Sequence, residues 1–347
     1  MSHRILIVRL GAIGDVVVTT TLFHGLRAAW PDAHIGWLVD ARLAGMLAGL
    51  DGLDRVHQWD RVGWSGALRS GRIDRLAQGI AALRRDLRRE GYTMVLDAQG
   101  LLKSSGLGLL AGAGERWALR PREGSALLAH HVVPAAERRL PGDEYRDLLR
   151  ALGVPGAESA RMALPIAPDR GAEARALIAQ RIGEGGFVAL CPFTTRPQKH
   201  WFDERWSELT RSFLGRGLHC VIMGGPSDRE RAEAIRSSSA PGTISLAGEA
   251  RLEVSAAVLA HARLTIGVDT GLTHWSMAHR TPTIALMGSA LPYTVALEGS
   301  TVLREPMACA PCDRRPTCAG RFECMRALTV ERVMAAAVSL LEQPSRH

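Results

Sequence analysis

The chain has 347 residues, 46% apolar and 22% charged, with a net charge of +8 and six cysteines. That length exceeds the ~250–300 residues at which single cores stop growing, so two domains are expected, and the apolar fraction excludes a disordered chain, which lacks the surface to offset its ordering entropy. The positive charge favours an anionic partner, but an aromatic content of 5% without an RNP motif or zinc finger speaks against nucleic acid.

No run approaches the ~18 apolar residues of a membrane span. Arg9 and Asp15 interrupt the apolar N-terminus where a signal peptide needs its hydrophobic segment. A cytoplasmic protein is expected. Six cysteines in a chain of this size are not a secreted disulfide framework, and four crowd between residues 309 and 324.

RILIVRL (residues 4–10) reads as a buried strand, DVVVTTTLFHGLRAAWP (15–31) as a helix closed by Pro31, and AHIGWLVD (33–40) as a second strand. IAALRRDLRREG (80–91) has helical periodicity, and YTMVLDA (92–98) follows as another strand. This is the rhythm of a parallel sheet. Residues 153–171, with three prolines and three glycines and no sustained period, read as a linker. Beyond it the rhythm restarts with GFVALCPF (186–193), a helix near 203–216, LHCVIMGG (218–225), a helix near 227–238 and LTIGVD (264–269). Two α/β domains in tandem are expected, about 1–160 and 170–328.

Ligands of such sheets bind beyond the carboxyl ends of the strands, so the residues just after each strand are the candidates. Gly11 and Gly14 do not make the G-x-G-x-x-G of a dinucleotide fold, although Asp40 ends the second strand. Asp15 falls at a helix N-terminus, where the macrodipole favours a carboxylate; it reads equally as a cap or as a catalytic base. DAQGLLKSS (97–105) presents Asp97, Gln99, Gly100 and Lys103, either as a polar cluster for a hydroxyl-bearing acceptor or as a turn with a solvated lysine.

CPFTTRPQKHW (191–201) places Thr194, Thr195, Arg196 and Lys199 after a strand, suited to a diphosphate or simply an exposed basic loop. IGVDTGLTHWSMA (266–278) puts Asp269, Thr270 and Gly271 at a strand-to-helix junction whose free amides suit an anion, with His274 one turn on as a packed residue or a phosphate donor. In MGGPSDRERAE (223–233), Asp228 or Glu230 suits ribose hydroxyls or the helix dipole.

LGAIGD, DAQGLLKS, TTRPQKHW and VDTGLTH together resemble glycosyltransferase family 9, in family order across residues 4–290, and most closely its lipopolysaccharide heptosyltransferase I branch. The resemblance implies a GT-B fold, two Rossmann-like domains facing a central cleft. The N-terminal domain would bind the acceptor and the C-terminal domain the nucleotide sugar, with the helix at 329–343 packing back on the N-terminal domain. It implies an inverting transferase that moves heptose from ADP-L-glycero-D-manno-heptose to the Kdo region of the lipid A inner core, peripheral on the cytoplasmic face of the inner membrane. Asp15 matches the general base, and Thr194, Thr195 and Lys199 the diphosphate contacts. Asp269, Thr270, Gly271 and His274 match the phosphate-binding helix terminus. Asp228 stands where that branch tends to carry a glutamate for the adenosine ribose, and Gln99 and Lys103 fall on the acceptor side.

No obligatory cofactor is implied, and these loops hold no DxD metal motif. Cys309, Cys312, Cys318 and Cys324 are spaced C-x2-C-x5-C-x5-C, a pattern expected either to hold structural zinc or iron or to pack as a reduced loop. Arg61, Arg69, Arg72 and Arg75, with Trp64 among them, read either as a contact for lipid A phosphates at the membrane surface or as a solvated helix. The alternatives are a family relative that moves another sugar or heptosylates a protein, and a nucleotide-sugar-binding protein without activity. The joint presence of Asp15 and Lys199 argues against the last.

Overall fold

The computed structural model describes residues 3–134, 139–290, 293–312 and 315–342, in two compact units, 1–138 with 142–164, and 139–141 with 165–347. The chain passes from the first unit to the second between Leu164 and Pro165, inside the Pro- and Gly-rich stretch.

The first unit runs β1 (Arg4–Val8), α1 (Ile13–Ala29), β2 (His34–Asp40), β3 (Arg55–Trp59), α2 (Arg61–Arg69), α3 (Ile73–Arg89), β4 (Met94–Asp97), α4 (Leu102–Leu109), β5 (Glu115–Leu119), β6 (His131–Val133) and α5 (Asp143–Ala151). Its sheet has the order β3-β2-β1-β4-β5-β6, with β1 parallel to both β2 and β4. Central parallel strands are covered on both faces and read as apolar runs. Ile5, Leu6, Ile7 and Val8 accordingly lose all solvent contact. One face packs Leu6 and Val8 with Leu83 and Leu87 of α3 and Leu107 of α4.

The second unit runs α6 (Pro168–Arg181), β7 (Phe187–Cys191), α7 (Asp203–Leu214), β8 (His219–Ile222), α8 (Arg229–Ser237), β9 (Ile244–Ser245), α9 (Leu252–Leu259), β10 (Leu264–Val268), α10 (Gly271–Ala278), β11 (Thr283–Met287), β12 (Ser300–Arg304), α11 (Glu323–Arg326) and α12 (Val330–Leu341). The sheet order is β12-β11-β10-β7-β8-β9. Counted from its own first strand this is the same doubly wound order as the first unit, and both are Rossmann-like α/β sheets. In each, the strand order reverses next to the first strand, between β1 and β4 and between β7 and β10. The crevice that opens beyond the carboxyl ends at such a reversal is where this architecture binds ligands.

Helix α12 buries Val330, Val333, Ala337 and Leu340 in the second unit's core, with Ile266 of β10, Ile284 of β11 and Trp206 of α7. Its entry is pinned because the Leu328 carbonyl accepts from Trp201 Nε1 and from the Arg205 guanidinium, each at 2.8 Å. Gln343, the last residue of the expected helix, lies outside the described residues.

Candidate active site

In the first unit the chain leaves β1 through Arg9 and Leu10 and enters α1 at Ile13. The Arg9 guanidinium is almost wholly buried, donates to the Ala98 carbonyl at 2.6 Å beyond β4, and forms an ion pair with Asp15 Oδ2. Burial works against the Arg9 charge, yet Asp15, together with Tyr145 and Glu144, outweighs it and holds the guanidinium pKa above its ordinary value. Asp15 Oδ2 also accepts the Ala12 amide at 3.2 Å. Its carboxylate nevertheless stays 54% exposed, so it caps the helix and still has an open side for substrate.

Gln99 Oε1 accepts the Leu10 amide at 2.9 Å, tying the turn after β4 to the turn after β1. Asp97 is buried and accepts from the Gln99 and Gly100 amides and both the Ser104 and Ser105 hydroxyls. Burial pushes its pKa up while these donors pull the other way, and with every lone-pair direction used it shapes the turn rather than meeting substrate. Gly100 is required there: it has φ +68°, and a Cβ would lie 2.3 Å from the Leu119 carbonyl oxygen. Lys103 is exposed on the first turn of α4. Arg61 and Arg69 are exposed on α2, which begins just past the carboxyl end of β3.

In the second unit Asp269 stands at the end of β10. Its carboxylate forms an ion pair with Lys199 Nζ through Oδ2 and bonds His274 Nε2 through Oδ1 at 3.0 Å. Burial raises its pKa, but His274 and Lys199 overcome that and bring it down to about 2. Thr194 Oγ1 donates to the Asp269 carbonyl at 3.2 Å. Thr270 is the N-cap of α10 and Gly271 its first residue, leaving the first-turn amides of that helix toward the crevice. Thr195 is exposed on the loop after β7.

His274 lies buried in the first turn of α10. Its Nδ1 bonds the buried Tyr293 hydroxyl at 2.9 Å, so both ring nitrogens have protein partners and the ring orients Asp269. Asp228 is likewise engaged, its Oδ2 accepting the Gly225 amide at 2.8 Å in the turn before α8.

Close approach of α10 to the sheet depends on Gly267, where a Cβ would fall 2.1 Å from Thr273 Oγ1 and 2.8 Å from Cys191 Cβ. Thr273 cannot swing away, because it is fully buried and donates to the Val268 carbonyl at 2.8 Å. Gly267→Ala is therefore expected to destabilise the protein by about 1–3 kcal/mol and to weaken ADP binding, checked by urea denaturation and calorimetric titration.

Among the described residues no group of three or more His, Cys, Asp or Glu side chains is arranged to hold a metal ion. Cys324 is buried on α11, so close to Gly288 that a Cβ there would lie 2.9 Å from its sulfur, whereas Cys309 is exposed. Burial pushes the Cys324 thiol pKa up, and the neighbouring Cys309, Cys312 and Cys318 add to the rise.

Two residues of this constellation escaped sequence reasoning as site residues. Arg9 had a signal, a cation closing an apolar strand. Tyr293 had none, since it lies outside every motif and reaches His274 only through the fold.

Residues 80–321 match the family model of glycosyltransferase family 9 (heptosyltransferase). Lipopolysaccharide heptosyltransferase 1 of Pseudomonas aeruginosa is 30% identical over 332 residues, covering 91% of this chain and 87% of that protein. The Escherichia coli K12 protein of the same name is 27% identical over 303 residues, covering 83% and 89%. A family 9 glycosyl transferase from Veillonella parvula superposes with a TM-score of 0.87 at 21% identity over 99% of both chains, a likeness of fold. The E. coli heptosyltransferase WaaC, solved with ADP-2-deoxy-2-fluoro heptose, gives 0.74 at 25% identity over 97% of this chain and 99% of its own.

Proposed function

The chain belongs to glycosyltransferase family 9, and from that premise we propose that it is an inverting heptosyltransferase of lipopolysaccharide core biosynthesis. Its donor is ADP-L-glycero-D-manno-heptose and its acceptor the Kdo region of lipid A. The observation that carries this reading is the Lys199, Asp269 and His274 cluster at the N-terminus of α10. It supplies cationic and amide donors where a diphosphate binds such a sheet, in a chain similar to a heptosyltransferase solved with ADP-2-deoxy-2-fluoro heptose.

In this mechanism Asp15 removes the proton of the acceptor hydroxyl as that oxygen attacks the anomeric carbon from the face opposite ADP. The bond from the anomeric carbon to the β-phosphate oxygen breaks with inversion, and the electron pair leaves with ADP. Lys199, the Thr194 and Thr195 hydroxyls and the α10 amides meet the charge that grows on the departing diphosphate. Arg9 holds the Asp15 carboxylate in place. Asp269, set by His274 and Tyr293, holds the Lys199 ammonium. Gln99, Lys103, Arg61 and Arg69 serve the acceptor, and Asp228 the adenosine ribose.

No helix among the described residues is long and apolar enough to cross a membrane. We place the protein on the cytoplasmic face of the inner membrane as a peripheral enzyme, where its lipid acceptor lies. The test is release of ADP from ADP-heptose. Rapid release only when Kdo-lipid A is added is the expected result, and no stimulation by that acceptor would sink the assignment.

A further inference from the structure

Helices α2 and α3 form a hairpin whose outer surface carries, beside Arg61 and Arg69, apolar side chains that the transfer chemistry does not use. Val62, Leu68 and Ile73 are 57%, 60% and 57% exposed. At about 100° per residue, Leu68, Arg61, Ser65, Arg69 and Val62 follow one another around a single face of α2, an arc of roughly 120°. Ile73 opens α3 just beyond the connecting turn. Trp64, which the sequence suggested for a membrane interface, leaves that face. It packs edge-on against Trp59 with ring centroids 6.3 Å apart, and over Gly79, where a Cβ would lie 2.5 Å from its Nε1.

Residues 61–75 hold four arginines, Arg61, Arg69, Arg72 and Arg75, against one carboxylate, Asp74. All four arginines are exposed. Arg27 and Arg55 of this unit are matched with acids, Asp54 and Asp86. Among the described residues none of these four stands within ion-pair distance of a carboxylate.

A purely solvated helix has no use for three aliphatic side chains more than half exposed. A protein interface depletes charge at its centre and anchors on aromatic residues, and this face interleaves arginine with aliphatic side chains and turns its tryptophan inward. Anionic bilayers match that pattern. Aliphatic side chains enter the acyl boundary while arginine stems run along it and carry their guanidinium groups to the phosphates.

We propose that the α2–α3 hairpin is a bilayer-docking element, with Val62, Leu68 and Ile73 inserted and Arg72 and Arg75 joining Arg61 and Arg69 on lipid phosphates. It rests on the lipid-acceptor reading only for which membrane is met, since the docking itself is independent of the sugar moved.

The test is co-sedimentation of the full chain with phosphatidylglycerol–phosphatidylethanolamine vesicles and with phosphatidylcholine vesicles. Wild type should bind the anionic vesicles only. The triple variant Val62→Ser, Leu68→Ser, Ile73→Ser should bind them about tenfold more weakly or less, with unchanged thermal melting. Arg72→Glu with Arg75→Glu should do the same, and its wild-type counterpart should lose binding as salt rises. Transfer to detergent-dispersed acceptor should be unaffected by the triple change. Vesicle binding that survives both variants would overturn the proposal, as would a wild-type dimer that the triple variant converts to monomer without any vesicle binding. Vesicle binding by an enzyme that transfers nothing to dispersed acceptor would sink the functional assignment and leave the docking element standing.

Discussion

Asp15→Ala is expected to lower turnover by about a thousandfold or more, near the upper part of the range for loss of a positioned general base, with ADP-heptose affinity changed by less than about twofold. The asymmetry follows from where the residue sits. Asp15 belongs to the first unit, and the diphosphate cluster is built from Thr194, Lys199 and Asp269 of the second. The Asp15 carboxylate is half-exposed, so its removal costs little stability by itself. Its loss does strip the buried Arg9 of a counter-charge, although Arg9 keeps the Ala98 carbonyl. Asp15→Asn keeps the shape and an acceptor for the Ala12 amide but cannot take a proton, so it should be nearly as inactive. Single-turnover rates with calorimetric titration of the donor separate the two effects. Equal loss of rate and affinity would make Asp15 a structural cap only.

Asp269→Ala is expected to weaken ADP binding by about a hundredfold and to cost roughly 3 kcal/mol of stability, because removing one partner leaves a charge stranded in a largely buried setting. Lys199 would lose its ion-pair partner, and His274 would keep only Tyr293. The pH dependence has a definite sign. With its pKa held near 2 in the folded chain, against ~3.9 for an unperturbed aspartate, Asp269 stabilises the fold fully above about pH 4. That contribution fades as pH falls through 2. Integrated over the window it is on the order of 2 kcal/mol. Asp269→Asn should flatten the stability curve in that window, checked by urea midpoints at neutral pH and below pH 4; a curve unchanged from wild type would remove Asp269 from this role.

The parts of the fold most legible in the sequence were those buried on both faces. ILIV (5–8) and LTIGV (264–268) announce central parallel strands because no position along them needs water. β3 was not legible: its His57 is completely buried, made tolerable by Asp86 at 2.5 Å and the Tyr92 hydroxyl at 2.8 Å, partners far along the chain. Asp15 and Asp269 could be found because strand-to-helix junctions are local patterns. Which residues hold them could not, since Tyr293 sits 19 positions from His274 along the chain. The hydrogen bond that His274 receives from Tyr293 is likewise supplied only by folding, whereas Asp228 meets the Gly225 amide three residues away.

The most direct test of the account is a mass spectrum of Kdo-lipid A after incubation with ADP-heptose and the purified protein, with Asp15→Ala in parallel. Addition of one heptose by wild type, and none by the variant within the same time, is the predicted result. An acceptor left unmodified by a wild-type protein that still binds ADP-heptose would contradict it, and would direct the search to other acceptors, proteins first.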